Sequence, residues 1–153
     1  MKNLLLLLLL LFSFALANGQ NSSEIKAINH EDGIALQGYD AISYFDRKPK
    51  KGSSANSLMH KGVKYLFNSP KNLKTFNVNP EKYTPSYGGW CAYALGARGE
   101  LVNVNPETYK IIDGKLYLFY NAYFNNTLKK WNMNEEELLK EANQNWDNLL
   151  RKQ

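Results

Sequence analysis

Residues 109–120 read Tyr-Lys-Ile-Ile-Asp-Gly-Lys-Leu-Tyr-Leu-Phe-Tyr and carry the strongest structural signal in the chain. Two apolar runs flank Asp113-Gly114, a dipeptide typical of the tight type I′ turn, in which both central residues have positive φ. Apolar, β-branched and aromatic residues dominate the runs, as they do in strands. The pattern therefore predicts a β-hairpin over this stretch.

A second hairpin is predicted over residues 58–67. Leu58-Met59-His60 and Val63–Phe67 flank the turn dipeptide Lys61-Gly62. Alternate residues of a strand point to the same side, so Val63, Tyr65 and Phe67 should form one apolar face. A further strand is expected near residues 42–45, and a loop over residues 46–57, which are rich in lysine and small residues.

Helices are predicted after the hairpins. Ser69-Pro70 supplies a capping oxygen and then a proline at the first helical position, with Leu73 and Phe76 on the buried side. Asn121 is expected to cap a helix running through Leu128 and Trp131. Asn134 followed by Glu137 indicates the start of a last helix. Its buried side repeats at helical spacing in Leu138, Ala142, Trp146 and Leu149.

Hairpins followed by helices predict an α+β fold, with a small antiparallel β-sheet of hairpins packed against short helices and a C-terminal helix. Residues 77–83 and 103–109 share the pattern Asn-Val-Asn-Pro-Glu-x-Tyr, which predicts two helical turns that each begin at proline. Residues 90–95 are small and aromatic, typical of a short buried helix or strand, and the glycines at 96 and 99 are expected to end it.

The N-terminus predicts export. Met1-Lys2-Asn3 is followed by an apolar run and by Ala15-Leu16-Ala17, the order found in a secretory signal peptide. Residues 1–17 are therefore expected to be the signal peptide, with an uncleaved anchor as the alternative. Residues 18–33 are expected to form a flexible leader and residues 34–150 a single domain. No later apolar run is long enough to cross a membrane.

Composition excludes several classes of protein. The chain has 153 residues and a formal net charge of +5, which suits one small domain rather than a large enzyme. Its single cysteine excludes an internal disulfide framework and any multi-cysteine zinc or iron–sulfur site within one chain. The lysines are too scattered for a nucleic-acid footprint, and export also argues against a nucleic-acid partner.

Several motifs together resemble the secreted, single-domain branch of the YHS-domain family. The motifs are Gly38–Phe45, Tyr65-Leu66-Phe67, Pro80–Tyr83, Tyr87–Tyr93 and Asp113–Leu118. Some members of the wider family handle metals through a pair of cysteines after a hairpin. The matching positions here are Asn68 and Asn72, whose amide oxygens are poor ligands for a soft ion. The resemblance therefore implies the fold. It does not imply metal transport, because this chain lacks the two thiolates that would bind the metal.

The candidate ligand site joins two segments that are rich in tyrosine and glycine. Tyrosine offers an apolar ring with a polar tip, and paired glycines allow a ligand to approach the backbone closely. Asp40 either orients a ligand or accepts hydrogen bonds from nearby backbone N–H groups, as Asp does in turns. The candidate residues are Tyr39, Asp40, Tyr44, Tyr87, Gly88, Gly89, Trp90 and Cys91.

Cys91 has three possible roles: inert packing, a metal or redox thiol, and a nucleophile. A mixed metal site would need Cys91 with His60 or His30 and a carboxylate such as Asp40. The first functional hypothesis is an exported, non-enzymatic domain that binds a small ligand or a metal ion in the periplasm or outside the cell. The alternatives are a thiol-dependent redox protein or enzyme that uses Cys91, and a structural or partner-binding domain.

Overall fold

The computed structural model describes residues 27–152. The predicted signal peptide, residues 1–17, and residues 18–26 of the predicted leader lie outside the described residues. The strands are β1 His30–Glu31, β2 Ile34–Ala35, β3 Ser53–His60, β4 Val63–Phe67, β5 Asn105–Ile112, β6 Lys115–Phe119, β7 Asn121–Ala122 and β8 Asn125–Asn126. The α-helices are α1 Pro70–Val78, α2 Pro80–Tyr83, α3 Ala92–Arg98, α4 Thr127–Trp131 and α5 Glu135–Arg151.

Both predicted hairpins are confirmed. Strands β5 and β6 pair antiparallel, with Ile112 opposite Lys115 and positive φ at Asp113 and Gly114, as a type I′ turn requires. Strands β3 and β4 pair across the Lys61-Gly62 turn, and Val63, Tyr65 and Phe67 are buried on one face of β4. The fold is α+β, as expected from hairpins followed by helices.

The hairpin of β3 and β4 belongs to a four-stranded sheet with the order β1-β2-β4-β3. Strand β2 joins β4 in parallel through Ile34 and Lys64, and β1 pairs antiparallel with β2. Residues 27–33, the described part of the expected leader, therefore lie against the domain: Ala27 is buried and His30–Glu31 adds the edge strand. Main-chain hydrogen bonds attach this polar segment to the sheet, although its sequence has no strand pattern.

The expected strand near residues 42–45 is wrong, since Ala41–Tyr44 forms a 3-10 helix. The side-chain carboxylate of Asp40 accepts the Ile42 N–H at 2.9 Å, and the main-chain carbonyl oxygen of Asp40 accepts the Ser43 N–H at 3.0 Å. Local capping of this kind competes with strand pairing. The expected loop over residues 46–57 is also too long, because β3 begins at Ser53.

The two copies of the repeated Asn-Pro-Glu pattern adopt different structures. The first forms helix α2 as expected, but the second lies in strand β5, so the prediction of a helical turn there is wrong. Asn105 pairs with Phe119 of β6, and Tyr44 donates a hydrogen bond to the Pro106 carbonyl at 2.8 Å. Pairing with β6 therefore overrides the local helix signal in the second copy.

Helix α1 begins as predicted, with the Ser69 hydroxyl accepting the Asn72 N–H at 3.2 Å. Asn121 does not cap a helix: it lies in β7, and Asn126 caps α4 by accepting the Leu128 N–H at 3.0 Å. The intervening β7–β8 hairpin, which the sequence analysis missed, moves the helix start by several residues.

The last helix is confirmed as α5, with Ala142 fully buried. It packs on α3, where a Cβ at position 96 would lie 2.5 Å from the Leu138 carbonyl oxygen. Gly96 therefore lies within α3 and allows this close approach rather than ending the helix, and Gly99 forms the left-handed cap. Lys110 of β5 pairs with Glu135, and this hydrogen bond is the main reason the pKa of Glu135 is lowered.

The apolar interior has two clusters. One packs the four-stranded sheet against α1 and the Ala41–Tyr44 turn, and it includes Tyr44, Phe67 and Phe76. The other packs β6 against α3, α4 and α5, and it includes Tyr87 and Trp131. Within residues 27–152, the structure contains no helix with the length and apolarity needed to span a bilayer.

Candidate functional site

The eight candidate residues fall into two neighbourhoods. The Asp40 region comprises Tyr39, Asp40 and Tyr44, and the Gly88 region comprises residues 87–91. Tyr44 belongs to the cluster under the four-stranded sheet, whereas Tyr87 belongs to the cluster around α5. Tyr39 borders one surface cleft, and Tyr87 and Gly88 border another. The single site expected from the sequence is therefore two separate environments.

Asp40 is fully buried, and both of its carboxylate oxygens are occupied. Oδ1 accepts the Ile42 N–H at 2.9 Å, while Oδ2 accepts the Asn68 N–H at 2.9 Å and the Asn72 side-chain amide at 2.8 Å. A buried carboxylate is stable when such donors replace water. The side chain thus joins the 3-10 turn to the end of β4 and the start of α1.

The same contacts involve Asn68 and Asn72, the two positions where the sequence resemblance would place a pair of cysteines. The Asn68 main-chain N–H and the Asn72 side-chain amide both donate to Asp40, and the Asn72 amide also donates to the Asn68 side-chain oxygen at 3.5 Å. An asparagine at position 72 can hold the buried carboxylate because its amide is a donor, whereas a thiol is a weak donor. These residues are structural partners of Asp40.

Tyr39 and Tyr44 differ in exposure. Tyr44 is fully buried, which raises the pKa of its hydroxyl, and its ring meets Tyr109 edge-on at 5.1 Å between centroids. Tyr39 is only partly buried: it donates to Glu107 at 2.8 Å, a bond that raises its pKa, and the Lys51 ammonium lies 4.5 Å from its ring centre. Tyr44 packs in the core, and Tyr39 forms part of an open surface cleft.

The backbone turns left-handed through residues 87–89, with φ of 55°, 59° and 87°. A Cβ on Gly88 would lie 2.3 Å from the Ala27 carbonyl oxygen. The expectation that the glycine pair lets a backbone come close is therefore met, but the approaching group is the chain's own residue 27, and the expected close approach of a ligand is corrected. The absence of a side chain at Gly88 is what allows the two segments to touch.

Hydrogen bonds hold this contact. Asn29 donates its main-chain N–H to the Gly88 carbonyl at 2.8 Å and its side-chain amide to the Gly89 carbonyl at 3.1 Å. The indole N–H of Trp90 donates to the Ala27 carbonyl at 2.9 Å. Gly89 and Trp90 consequently position the N-terminal segment.

A cavity of about 400 Å³, here called the Trp146 cavity, lies beside this contact. Aromatic and aliphatic groups dominate its lining, which also carries one lysine and one glutamate. The lining residues are Ala27, Ile28, Lys61, Tyr65, Glu81, Thr84, Pro85, Tyr87, Gly88, Trp146 and Leu150. Two of the eight candidate residues, Tyr87 and Gly88, thus reach a cavity of ligand size.

The apolar wall of the Trp146 cavity is held rigidly. The rings of Tyr87 and Trp146 have centroids 6.1 Å apart, and the Tyr87 hydroxyl donates to the Asn143 side-chain oxygen at 2.9 Å. Burial raises the pKa of this hydroxyl, so it stays protonated and remains a donor. Rings fixed in this way offer a preformed surface for an apolar ligand.

The polar edge of the cavity is a small charged cluster. The Lys61 ammonium lies 3.1 Å from the Glu81 carboxylate, and His60 Nε2 lies 3.3 Å from the same oxygen. The His60 contact is within ion-pair distance but lacks hydrogen-bond geometry, so Nε2 is buried without a directed partner. The distance indicates proximity, and the angles show that this nitrogen retains unused hydrogen-bonding capacity.

His60 and Cys91, the two proposed metal ligands, have different surroundings. His60 packs edge-on against Tyr65 and Phe76, with ring centroids 6.1 and 5.8 Å away. Cys91 is fully buried, where its sulfur accepts the Tyr120 N–H at 3.3 Å and lies 3.4 Å from the Thr127 hydroxyl. Among residues 27–152, no three His, Cys, Asp or Glu side chains are grouped so that they could hold a metal ion.

The surroundings of Cys91 match those of a packed thiol. Its N–H donates to the Val102 carbonyl at 2.9 Å, and it bridges to Leu118 of β6. Thr127, its hydroxyl neighbour, donates instead to the Tyr120 carbonyl at 2.8 Å. Neither Tyr120 nor Thr127 offers a base that could remove the thiol proton through these contacts.

Sequence reasoning missed the residues that complete the Trp146 cavity. Trp146 was assigned only to the packing face of the last helix, Lys61 to a hairpin turn, and Glu81 to a helix start. The N-terminal wall, residues 27–28, fell in the expected leader. Each assignment is locally correct or reasonable, but no periodic pattern brings a turn, a helix and a terminal segment to the same cavity.

Comparison of the chain with protein-family models, with curated proteins and with solved structures finds no match.

Proposed function

We propose that this protein is an exported, non-enzymatic domain, of the kind that the YHS-like motifs indicate, which binds a small organic ligand in the Trp146 cavity. The observation that carries the proposal is the cavity itself: about 400 Å³, walled by fixed aromatic rings and edged by a charged cluster. Small-molecule sites are typically concave, mainly apolar and about 300–1,000 Å³ in volume, with a few polar groups that orient the ligand.

The lining suggests the chemistry of the ligand. Tyr87 and Trp146 would contact an apolar or aromatic body, while Lys61 would attract an anionic substituent. Glu81 lies beside Lys61 in the lining and would select against groups that cannot hydrogen-bond. A small aromatic molecule with one acidic group meets both requirements.

The organic ligand is favoured over the metal ion by the donor groups present. The Asp40 carboxylate is already hydrogen-bonded to the Asn72 side chain, and the Cys91 sulfur is within hydrogen-bond distance of Tyr120 and Thr127. These groups are therefore engaged within the protein rather than free to ligate a metal.

Within residues 27–152, a cavity of about 230 Å³ whose lining includes Cys91, Arg98 and Lys130 is the one feature that favours the thiol-enzyme alternative. The cysteine is nevertheless fully buried, and the contacts of its sulfur are a main-chain N–H and a hydroxyl, neither of which is a base.

The ligand-binding proposal can be tested with anilinonaphthalene sulfonate, a fluorescent aromatic anion. We expect saturable binding to the folded protein, with a dissociation constant raised at least about tenfold in Trp146→Leu, because a central aromatic contact is lost. Lys61→Gln should also weaken binding. Lys64→Gln, on the exposed side of β4 and outside the cavity, is the matched control and should bind as the wild type does.

Two results would refute this function. One is the absence of saturable binding by the folded wild type. The other is an equal affinity in Trp146→Leu and the wild type, which would place the probe elsewhere. Once the probe is in place, its displacement by a library of small aromatic acids identifies the ligand class.

Export rests on the sequence pattern of residues 1–17 and is tested separately. Protein expressed with its own N-terminus in a secreting host should be recovered from the exported fraction. Its mass should correspond to a chain that begins at Asn18. Recovery of the intact chain in the membrane fraction would instead support the uncleaved anchor.

A further inference from the structure

The β7–β8 hairpin presents two aromatic side chains to solvent at its tip. Ala122 pairs with Asn125, so Tyr123 and Phe124 are the two central residues of the turn. Their relative exposures are 91% and 111%. No other pair of consecutive aromatic residues among residues 27–152 is exposed to this degree.

The turn is also unusual in its backbone. Tyr123 and Phe124 have φ of 49° and 63°, the left-handed values that a type I′ turn requires at both central positions. Asparagine and glycine adopt these values at low cost, whereas large side chains are strained there. Both the strained backbone and the exposed rings therefore oppose folding and solubility, and a function that requires them would account for their presence.

The charge around the tip has one sign. From Leu116 to Asn134, the stretch that contains the tip, the sequence has two lysines, Lys129 and Lys130, and no aspartate or glutamate. Lys129 and Lys130 are exposed on α4, which begins immediately after β8. The aromatic tip thus projects from a segment that would be attracted to an anionic surface.

We propose that Tyr123 and Phe124 insert into the interface of an anionic lipid bilayer and dock the domain on a membrane surface. Aromatic rings favour the headgroup region, where an apolar body and a polar end are both accommodated. Lysines next to the inserted rings add attraction to acidic headgroups. The domain lies on the membrane in this arrangement and does not span it.

A lipid surface fits the tip better than a protein partner does. Two aromatic side chains bury roughly 150–250 Å² each, well below the about 800 Å² per partner of a stable protein interface. A protein partner would also need a matching pocket, whereas a bilayer interface accepts rings without one. The small area and the single sign of charge therefore favour lipid.

The decisive variant replaces the tip with the residues that the turn prefers. In Tyr123→Asn/Phe124→Gly the hairpin should be retained and its strain relieved, so the melting temperature should be unchanged or higher. Co-sedimentation with phosphatidylcholine vesicles that contain phosphatidylglycerol should fall at least about tenfold in this variant, since both inserted rings are lost. A loss of binding together with retained stability cannot arise from unfolding.

The lysine contribution is tested in the same assay. Lys129→Gln/Lys130→Gln should weaken binding to vesicles with phosphatidylglycerol, and added salt should weaken binding of the wild type, because both reduce the attraction to acidic lipid. Lys71→Gln/Lys74→Gln, on helix α1, removes the same charge elsewhere and should bind as the wild type does.

Membrane docking is refuted if the wild type does not bind the anionic vesicles, or if the Asn-Gly variant binds as well as the wild type. If the wild type elutes as a dimer without binding vesicles and the Asn-Gly variant elutes as a monomer, the tip contacts a second copy and docking is likewise refuted. These outcomes are independent of the Trp146 cavity, which is probed by a soluble dye.

Discussion

The Asp40 region and the Gly88 region both lie in segments rich in tyrosine and glycine, but they differ in where their polar groups find hydrogen-bond partners. In the Asp40 region, Asp40 and Tyr44 are fully buried and their polar groups find partners within the protein, and only Tyr39 borders a surface cleft. In the Gly88 region, the polar groups reach a neighbouring chain segment, and the Trp146 cavity remains at its side. Tyrosine and glycine alone therefore do not distinguish a core from a site.

The difference lies in where the hydrogen-bond partners come from. Asp40 is satisfied by groups within one compact unit formed by its own turn, β4 and α1. Tyr87 and Gly88 depend on α5 and on residues 27–29, which arrive from opposite ends of the described chain.

The largest effect is expected from Asp40→Ala. One buried and two part-buried donors would lose their acceptor, and an unsatisfied buried group costs about 1–3 kcal/mol, so the free energy of unfolding should fall by about 3–5 kcal/mol. Urea denaturation measures the loss. Asp46→Ala, an exposed acidic control in the same segment, should change stability by less than about 0.5 kcal/mol. A similar small effect in both variants would contradict a structural role for Asp40.

Gly88→Ala tests the Gly88 region in the same way. The new Cβ would lie 2.3 Å from the Ala27 carbonyl and would also force a non-glycine residue into positive φ. We expect a loss of about 2–3 kcal/mol together with weaker dye binding, because residues 27–28 line the cavity.

Gly114→Ala is the matched control for that substitution. Gly114 has a similar positive φ, but nothing lies within 4 Å of its Cβ position. It should therefore show only the conformational cost, about 1 kcal/mol, with normal dye binding. Equal losses in the two variants would mean that the close approach of residue 27 contributes nothing to stability.

Tyr44→Phe and Tyr87→Phe compare one hydroxyl from each region. Tyr44→Phe leaves the Pro106 carbonyl without its donor inside the protein and should cost about 1–2 kcal/mol. Tyr87→Phe frees an oxygen of Asn143, an exposed residue that water can reach, and should cost about 0.5 kcal/mol or less. The reverse order in urea denaturation would contradict the contrast between a sealed and an open region.

The same two tyrosines predict an alkaline limit to stability. Burial raises the pKa of both hydroxyls, so the folded chain keeps protons that the unfolded chain releases near pH 10, an ordinary tyrosine pKa. Stability is therefore complete below about pH 10 and falls as pH rises toward the folded values. Denaturation at several pH values measures this, and the decline should be shallower in either Phe variant than in the wild type.

Cys91 should also show a small effect. Cys91→Ser places a hydroxyl beside the Tyr120 N–H and the Thr127 hydroxyl, both able to hydrogen-bond it, so stability should change by about 1 kcal/mol or less. The native thiol is fully buried and should resist iodoacetamide until urea unfolds the protein, as mass spectrometry would record. Rapid labelling of the folded chain would revive the thiol-enzyme hypothesis.

Sequence signals were reliable for elements that are stabilised by residues close to one another in the chain. The Asp113-Gly114 turn, the Ser69-Pro70 helix start and the final helix all depend on residues a few positions apart, and all three were predicted correctly. The second Asn-Val-Asn-Pro-Glu segment has the same letters as the first, yet it became a strand because β6 pairs with it. Identical local preference thus gave two structures once a distant partner was available.

The candidate site divides along the same line. The residue types predicted a close approach at Gly88, but the expected partner was a ligand, and the structure places the chain's own residue 27 there. The neighbours themselves, Ala27 and Trp146, lie about 60 residues away in sequence on either side. No spacing rule spans such a separation.

By itself, the sequence determined the two main hairpins, the Ser69-Pro70 and final helices, and the α+β class, because these turns, caps and amphipathic faces depend on neighbours in the chain. The tertiary structure decided which group met each need, since hydrogen bonds and cavities depend on which surfaces pack together. It is this packing that made Asp40 part of the core and left an opening beside Gly88.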